Sequence, residues 1–394
     1  MVRISKITTV MFSGKKRRLF FGIAALVIMA GLMILYSRSV ERTPIAPSSN
    51  NEYAKATVTA ILEDYTGAEE GGGAYTGNQL VEVEITSGTY KGRTCEASNS
   101  NSYLTGAYCE EGSKVVVLVG ENNGELAASV YNYDRGAGIW ALVGVFFLAL
   151  CLIGGKKGIS ASAALIFTFI CIVFLYVPMM YAGVSPFWAA VIVSMLILVV
   201  SILLLDGWSA QAFCAILGTA IGVLIAGATA ALFGTLCHIT GFNMSDAETM
   251  IHIGDNSGLQ VGGILFSGIL IASLGAVMDQ SVSVAAAIQE IKRNNPEFGW
   301  KRLYQSGIRV GHDMMGTMSN TLILAFVGSS VNTLIIVYAY EMPYLQIMSQ
   351  YAIAIEILRG LSGTLGVILT VPVESAIAAF WLTRKKKAQG VSVS

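Results

Sequence analysis

Charge is what this sequence has least of. Of 394 residues only 13% are Asp, Glu, Lys or Arg, while 54% are hydrophobic; a soluble domain carries about 25% charged residues. With a mean hydropathy of +0.64, the chain reads as one solvated mainly by lipid. Net charge is zero, which by itself says nothing about nucleic acid; for a chain of this hydropathy no nucleic-acid partner is expected. Histidine is scarce, with three residues, and no H-E-x-x-H occurs. Walker A and dinucleotide-binding glycine fingerprints are missing as well. Metal, nucleotide and other cofactors are therefore not expected, nor is ATP-driven chemistry. Lys and Arg are missing altogether from three connecting segments, 178–186, 237–258 and 341–346.

What is present is a series of apolar runs of about bilayer length. The first, 19–36, follows Lys15-Lys16-Arg17-Arg18. A cleaved signal peptide competes with a membrane helix there, although no A-x-A site follows. Seven more runs lie at 139–153, 159–181, 187–205, 212–236, 259–278, 314–340 and 347–382. The last is too long for one straight span; it reads as a surface segment and then a helix from about Gly360, perturbed near Pro372. Basic residues cluster at Lys156-Lys157, in 281–310 and at Arg384-Lys385-Lys386-Lys387. Positive loops stay inside, so the expectation is eight spans with both termini cytoplasmic: a basic N-terminus 1–18, a first helix 19–36, an outer segment 37–138, a seven-helix domain 139–383 and a basic tail 384–394. The connection 281–310 reads as a cytoplasmic loop with an amphipathic stretch (Val284, Ala287, Ile288, Ile291) on the inner surface.

The outer segment is polar. Alternation at 56–61, 79–85, 114–120 and 125–133, with hairpin turns at Ser87–Gly92 and Glu121–Gly124, predicts about five short strands closing a small OB-like barrel. Cys95 and Cys109 lie in it and are candidates for a disulfide outside the cytoplasm, or else two thiols.

Polar residues inside the apolar runs need a reason. Three stripes recur at helical spacing: Gly268, Ala272, Gly275, Asp279 and Ser283; Asp313, Gly316, Thr317, Asn320, Leu324 and Gly328; and Glu356, Gly360, Gly363, Val367, Thr370 and Glu374. Small residues let backbones approach, so these faces are expected to meet. Asp279 and Asp313 would then compete for one proton or cation, with Asn320, Thr317 and Glu374 lining a path; capping or snorkelling is the bland alternative. Glu356 and Arg359 are spaced for an ion pair. His238 and His252 flank acidic residues without metal-ligand spacing, and His312 adjoins Asp313. Gly360-Leu361-Ser362-Gly363 matches the G-x-S-G of intramembrane serine proteases, but no histidine follows it, and an enzyme is not expected.

Three blocks carry a family resemblance: Leu274 to Asp279, Ser306 to Ser330, and Glu356 to Gly360 with Val371-Pro372. They resemble the YibE/F-like family of bacterial multi-pass membrane proteins, in the order of one span, β-domain and seven spans and in the Tyr90-Lys91-Gly92 turn. The sequence departs from it at His312, where Arg is more usual, and at Glu374, where an uncharged residue is. The resemblance implies a plasma-membrane protein of unknown substrate. Two functions fit: an ion-coupled secondary transporter or permease for a small molecule or ion, or an envelope scaffold whose outer domain binds a partner. Oligomeric state is open.

Overall fold

The computed structural model describes residues 14–40, 51–68, 75–103, 105–122, 125–244 and 246–389. Of the expected basic ends, residues 1–13 and 390–394 fall outside them. The chain forms two compact units, Pro44–Ala149 and the remainder, Met1–Thr43 with Leu150–Ser394. It is mainly helical, at 69%.

The first unit is a five-stranded barrel: β1 (Glu52–Asp64), β2 (Tyr75–Ile85), β3 (Thr94–Asn101), β4 (Lys114–Asn122) and β5 (Glu125–Tyr133). Alternate residues point inward. Ala54, Ala56 and Val58 meet Val81, Val83 and Ile85 and Val115, Val117 and Val119 in one buried core. β1 pairs antiparallel with both β2 and β4, β4 with β5, and β2 with β3. A short parallel contact of β3 with β5, Ala97 opposite Ala128, closes the ring. Closure leaves no long edge free. β3 escapes alternation reading because its inward residues are Cys95, Ala97 and Asn99 rather than large apolar ones.

The remaining elements are α-helical. α1 spans Gly14–Ser39; α2, Gly136–Cys171, starts in the first unit and continues through a π turn Ile172–Tyr176 and a last turn Val177–Tyr181. Then come α3 (Pro186–Asp206), α4 (Ala210–Leu236), the short α5 (Ala247–Asp255), α6 (Ile264–Asn294), α7 (Trp300–Ser329), α8 (Val331–Ala339), α9 (Tyr344–Ser349) and α10 (Tyr351–Gln389). α2 is not one rod. Gly155 takes φ 52° and ψ −128°, a left-handed conformation that glycine adopts without a Cβ penalty. The chain doubles back there, because Cys151 Sγ and Ser162 Oγ lie 3.6 Å apart, whereas eleven residues of straight helix span about 16 Å.

Five helical segments are long and apolar enough to cross a bilayer, namely Gly136–Tyr181, Pro186–Asp206, Ala210–Leu236, Val261–Asn294 and Tyr351–Arg384. α7 with α8, bent by 61°, makes a sixth if the pair is one span. The chain is thus membrane-embedded.

Two expectations are corrected. Segment 281–310 is not a loop: α6 continues to Asn294 and α7 starts at Trp300. Val284 and Ile288 are buried against Leu303, Cys214, Ala378 and Ala379, so the amphipathic stretch faces the bundle rather than a membrane surface. The final helix begins at Tyr351 rather than near Gly360 and runs unbroken through Pro372.

Candidate functional site

Four helices of the second unit, α4, α6, α7 and α10, meet along faces of small residues. Each close approach is set by a glycine. A Cβ on Gly218 of α4 would fall onto Glu374 Oε2 of α10, and one on Gly222 would fall onto Thr370 Oγ1. A Cβ on Gly311 of α7 would strike Val371, and one on Gly307 would come within 2.6 Å of Ser375 Oγ. These contacts bring the middle of α10 to the centre of the bundle. There Glu374, Ser375, Thr370, Ser281, Gln280 and Thr219 are all fully buried.

Glu374 is the chemical centre of the group. Ser281 Oγ lies 2.7 Å from Glu374 Oε2 and 3.1 Å from the carbonyl oxygen of Ala215 on α4. A hydroxyl has one proton to donate. Ser281 either shares its proton between the two oxygens or, when the carboxyl is protonated, accepts from it and donates its own to Ala215. No ion pair among the described residues involves Glu374. An unpaired carboxylate so deep would bear the full cost of desolvation. The other oxygen, Oε1, has no protein partner, and neither do Thr219 Oγ1, Ser375 Oγ or both polar atoms of the Gln280 amide. Buried polar atoms are ordinarily satisfied, so this concentration makes the cluster the candidate functional site.

Of the expected site residues, Glu374 alone lies in this cluster. Asp279, Asp313, Thr317 and Asn320 are exposed, each on the side of its helix away from the bundle. A Cβ on Gly268, Gly275, Gly316 or Gly328 would touch nothing within 4 Å. The stripes of α6 and α7 therefore do not meet each other; the inner face of α6 is instead Ser273, Val277, Gln280, Ser281 and Val284. Only the α10 stripe is packed. Ser281, Gln280, Thr219 and Gly218 were missed by sequence reading. The signal that could have found them is the small-residue series Gly218, Gly222, Ala226 and Ala230 on α4, spaced by four.

The Glu356–Arg359 ion pair is present at 3.1 Å; Glu356 and Gly360 border an apolar cavity of about 240 Å³ between α7, α8 and α10. A larger cavity of about 510 Å³ is lined by Ser362, Cys237 and His238 among apolar residues. No hydrogen bond joins Ser362 to His238 among the described residues, so no nucleophile–base pair is formed. Neither do three His, Cys, Asp or Glu residues gather as metal ligands among them.

In the barrel, Cys95 and Cys109 are free thiols. The expected disulfide is not formed, for a geometric reason. Cys109 Sγ lies 3.6 Å from Asn99 Nδ2, and Asn99 is four residues along β3 from Cys95, about 13 Å, beyond the span of a disulfide. A buried amide pair fills this end of the barrel. Gln79 Oε1 accepts from Asn99 Nδ2 at 3.0 Å and from the Cys109 amide at 2.9 Å. Burial pushes the Cys109 thiol up to about 11. Nearby, hydrogen bonds from Thr66 hold Asp64 below its usual value.

The YibE/F-like protein family's sequence model matches residues 142–384. The chain belongs to the YibE/F-like family. The match runs from within α2 into α10, including every residue of the Glu374 cluster, and leaves out α1 and the barrel. No curated protein and no solved structure matches the chain.

Proposed function

We propose that this YibE/F-like protein is a proton-coupled secondary transporter, with Glu374 as the group that takes up and releases the proton. The single observation behind this reading is the buried Glu374–Ser281–Ala215 chain, in which a proton on the carboxyl lets each hydroxyl donate once. Unpartnered Thr219, Gln280 and Ser375 supply polar atoms along the same helices, and broken or closely packed small-residue helices are where transporter sites form. Asp279 and Asp313 are not a coupling pair in this reading, because their faces do not meet.

The setting is a bacterial plasma membrane with eight spans, both ends cytoplasmic and the barrel outside. Two arms of α2, α7 with α8 as one bent span, and α1, whose apolar part covers Leu26–Ser39, bring the count to eight. Lys156-Lys157 at the α2 turn, Lys292 and Arg293 ending α6, and Arg384 ending α10 then share the inner side.

The test is the purified protein in liposomes under an imposed pH gradient. Internal pH is read by an entrapped dye while solute classes are offered in turn: amino acids, sugars, organic acids and metal cations. Wild type should show solute-dependent proton flux that Glu374→Gln abolishes. Equal flux in both proteins, or none in wild type with any class, would sink the proposal.

A second reading is favoured by two tyrosine pairs on the barrel. Tyr75 and Tyr108 stack at 3.9 Å, and Tyr53 meets Tyr131 edge-on at 5.3 Å. Such surfaces suit a ligand bound outside the membrane, making the helices a scaffold; deleting 50–135 without loss of phenotype would exclude it.

A further inference from the structure

We propose that two copies of this chain associate face to face along α7, with Arg309 of each copy paired to Asp313 of the other.

The face is defined by packing. Leu303, Gly307 and Gly311 are the buried residues of α7. Arg309, Asp313, Gly316, Thr317 and Asn320 are exposed, and their spacing gathers them on the opposite side of the helix. Between His312 and Ser349 no residue is buried. For the apolar residues of this stretch acyl chains are a sufficient cover. For the polar ones they are not. Measured from Trp300 at about 1.5 Å per residue, Arg309 stands about 14 Å and Asn320 about 30 Å along the helix. Everything between Met314 and Ala325 other than Gly316, Thr317, Ser319, Asn320 and Thr321 is Met, Leu, Ile or Ala. Asn320 therefore faces lipid inside an apolar run, where a side-chain amide finds no partner.

A second copy supplies what lipid does not, because the face is complementary to itself. Arg309 and Asp313 lie one turn apart, yet they form no ion pair within the chain; the pairs among described residues are Lys55–Asp134, Arg293–Glu290 and Arg359–Glu356. A two-fold axis along the membrane normal sets Arg309 against the second copy's Asp313 twice over, as an isologous interface does. It also brings the two Asn320 amides to one depth, where each donates to the other. Gly316 lies between these levels, and a Cβ there would touch nothing within 4 Å, which leaves room for a neighbouring backbone.

The test uses the full chain in lipid nanodiscs, with mass measured particle by particle over a dilution series. Wild type should be dimeric, and Gly316→Cys in a background freed of the six native cysteines should cross-link on oxidation. Arg309→Asp and Asp313→Arg should each weaken association by about tenfold or more. The double variant should regain the dimer, which a folding defect would not do. Asn320→Leu should weaken it without any change of charge. A monomeric wild type, single variants that dimerise as wild type does, a double variant without rescue, or association only with a different protein would each overturn the proposal. None of these readouts depends on transport or on Glu374.

Discussion

Substituting Gly218 by alanine tests the geometry of the buried carboxyl most directly. The added methyl would fall onto Glu374 Oε2 and come within 2.7 Å of Ser281 Oγ. Neither group has free space to retreat into, since both side chains are fully buried. Overpacking of a filled core costs about 1–3 kcal/mol. Displacing the carboxyl from Ser281 would forfeit a further hydrogen bond, about 1 kcal/mol. Against this, alanine is the better helix former by about 0.5–1 kcal/mol. The net expectation is a loss of roughly 1–3 kcal/mol. Gly275→Ala is the internal control. Its methyl would meet nothing within 4 Å, so it gains the propensity without the clash. Thermal unfolding of both variants in the same detergent, followed by tryptophan emission, isolates the contact. Gly218→Ala should melt several degrees below Gly275→Ala. Equal melting of the two would refute the close packing of α4 on α10 and, with it, the placement of Glu374.

Three other outcomes follow from the same structure. Ser281→Ala should lower stability by about 1–3 kcal/mol, because it leaves Glu374 Oε2 buried without its hydrogen-bond partner; the check is the same melting assay. Gln79→Leu should cost the barrel about 1–3 kcal/mol by stripping partners from Asn99 and the Cys109 amide, read as earlier loss of the barrel's β signal in circular dichroism. The Cys109 thiol is raised by burial from 9.0 to about 11, so the folded barrel holds its proton where the unfolded chain gives it up. That contribution to stability is complete below about pH 9 and is lost as pH rises through 11; denaturant titrations at pH 8 and 10.5 should show a drop that Cys109→Ala removes.

Much of this architecture was legible because lipid imposes simple rules. Apolar runs of bilayer length predicted the helices, and α3 and α4 match them closely, since a backbone in hydrocarbon has to satisfy its own hydrogen bonds. Strict alternation revealed β1, β2, β4 and β5, and Gly88 and Gly92 at φ 84° and 83° build the hairpin expected at Ser87–Gly92. β3 was hidden because its inward positions are small or polar. The reach of α6 to Asn294 was hidden because basic residues at its end imitate a loop, although Val284 and Ile288 beneath them belong to the core.

The sequence by itself determined the solvent, most helical segments and the barrel, and it offered Glu374 as one pathway candidate among several. Hydropathy and residue spacing are properties of one helix at a time, and they suffice for that. Only the tertiary structure decided which faces of α6 and α7 turn inward, because that depends on glycines of other helices admitting their neighbours. Gly218 admits Glu374, and Gly307 and Gly311 admit Ser375 and Val371; nothing comparable draws Asp279 or Asp313 inward. The same packing brought Ser281 within 2.7 Å of a residue 93 positions away, a contact that no local pattern encodes.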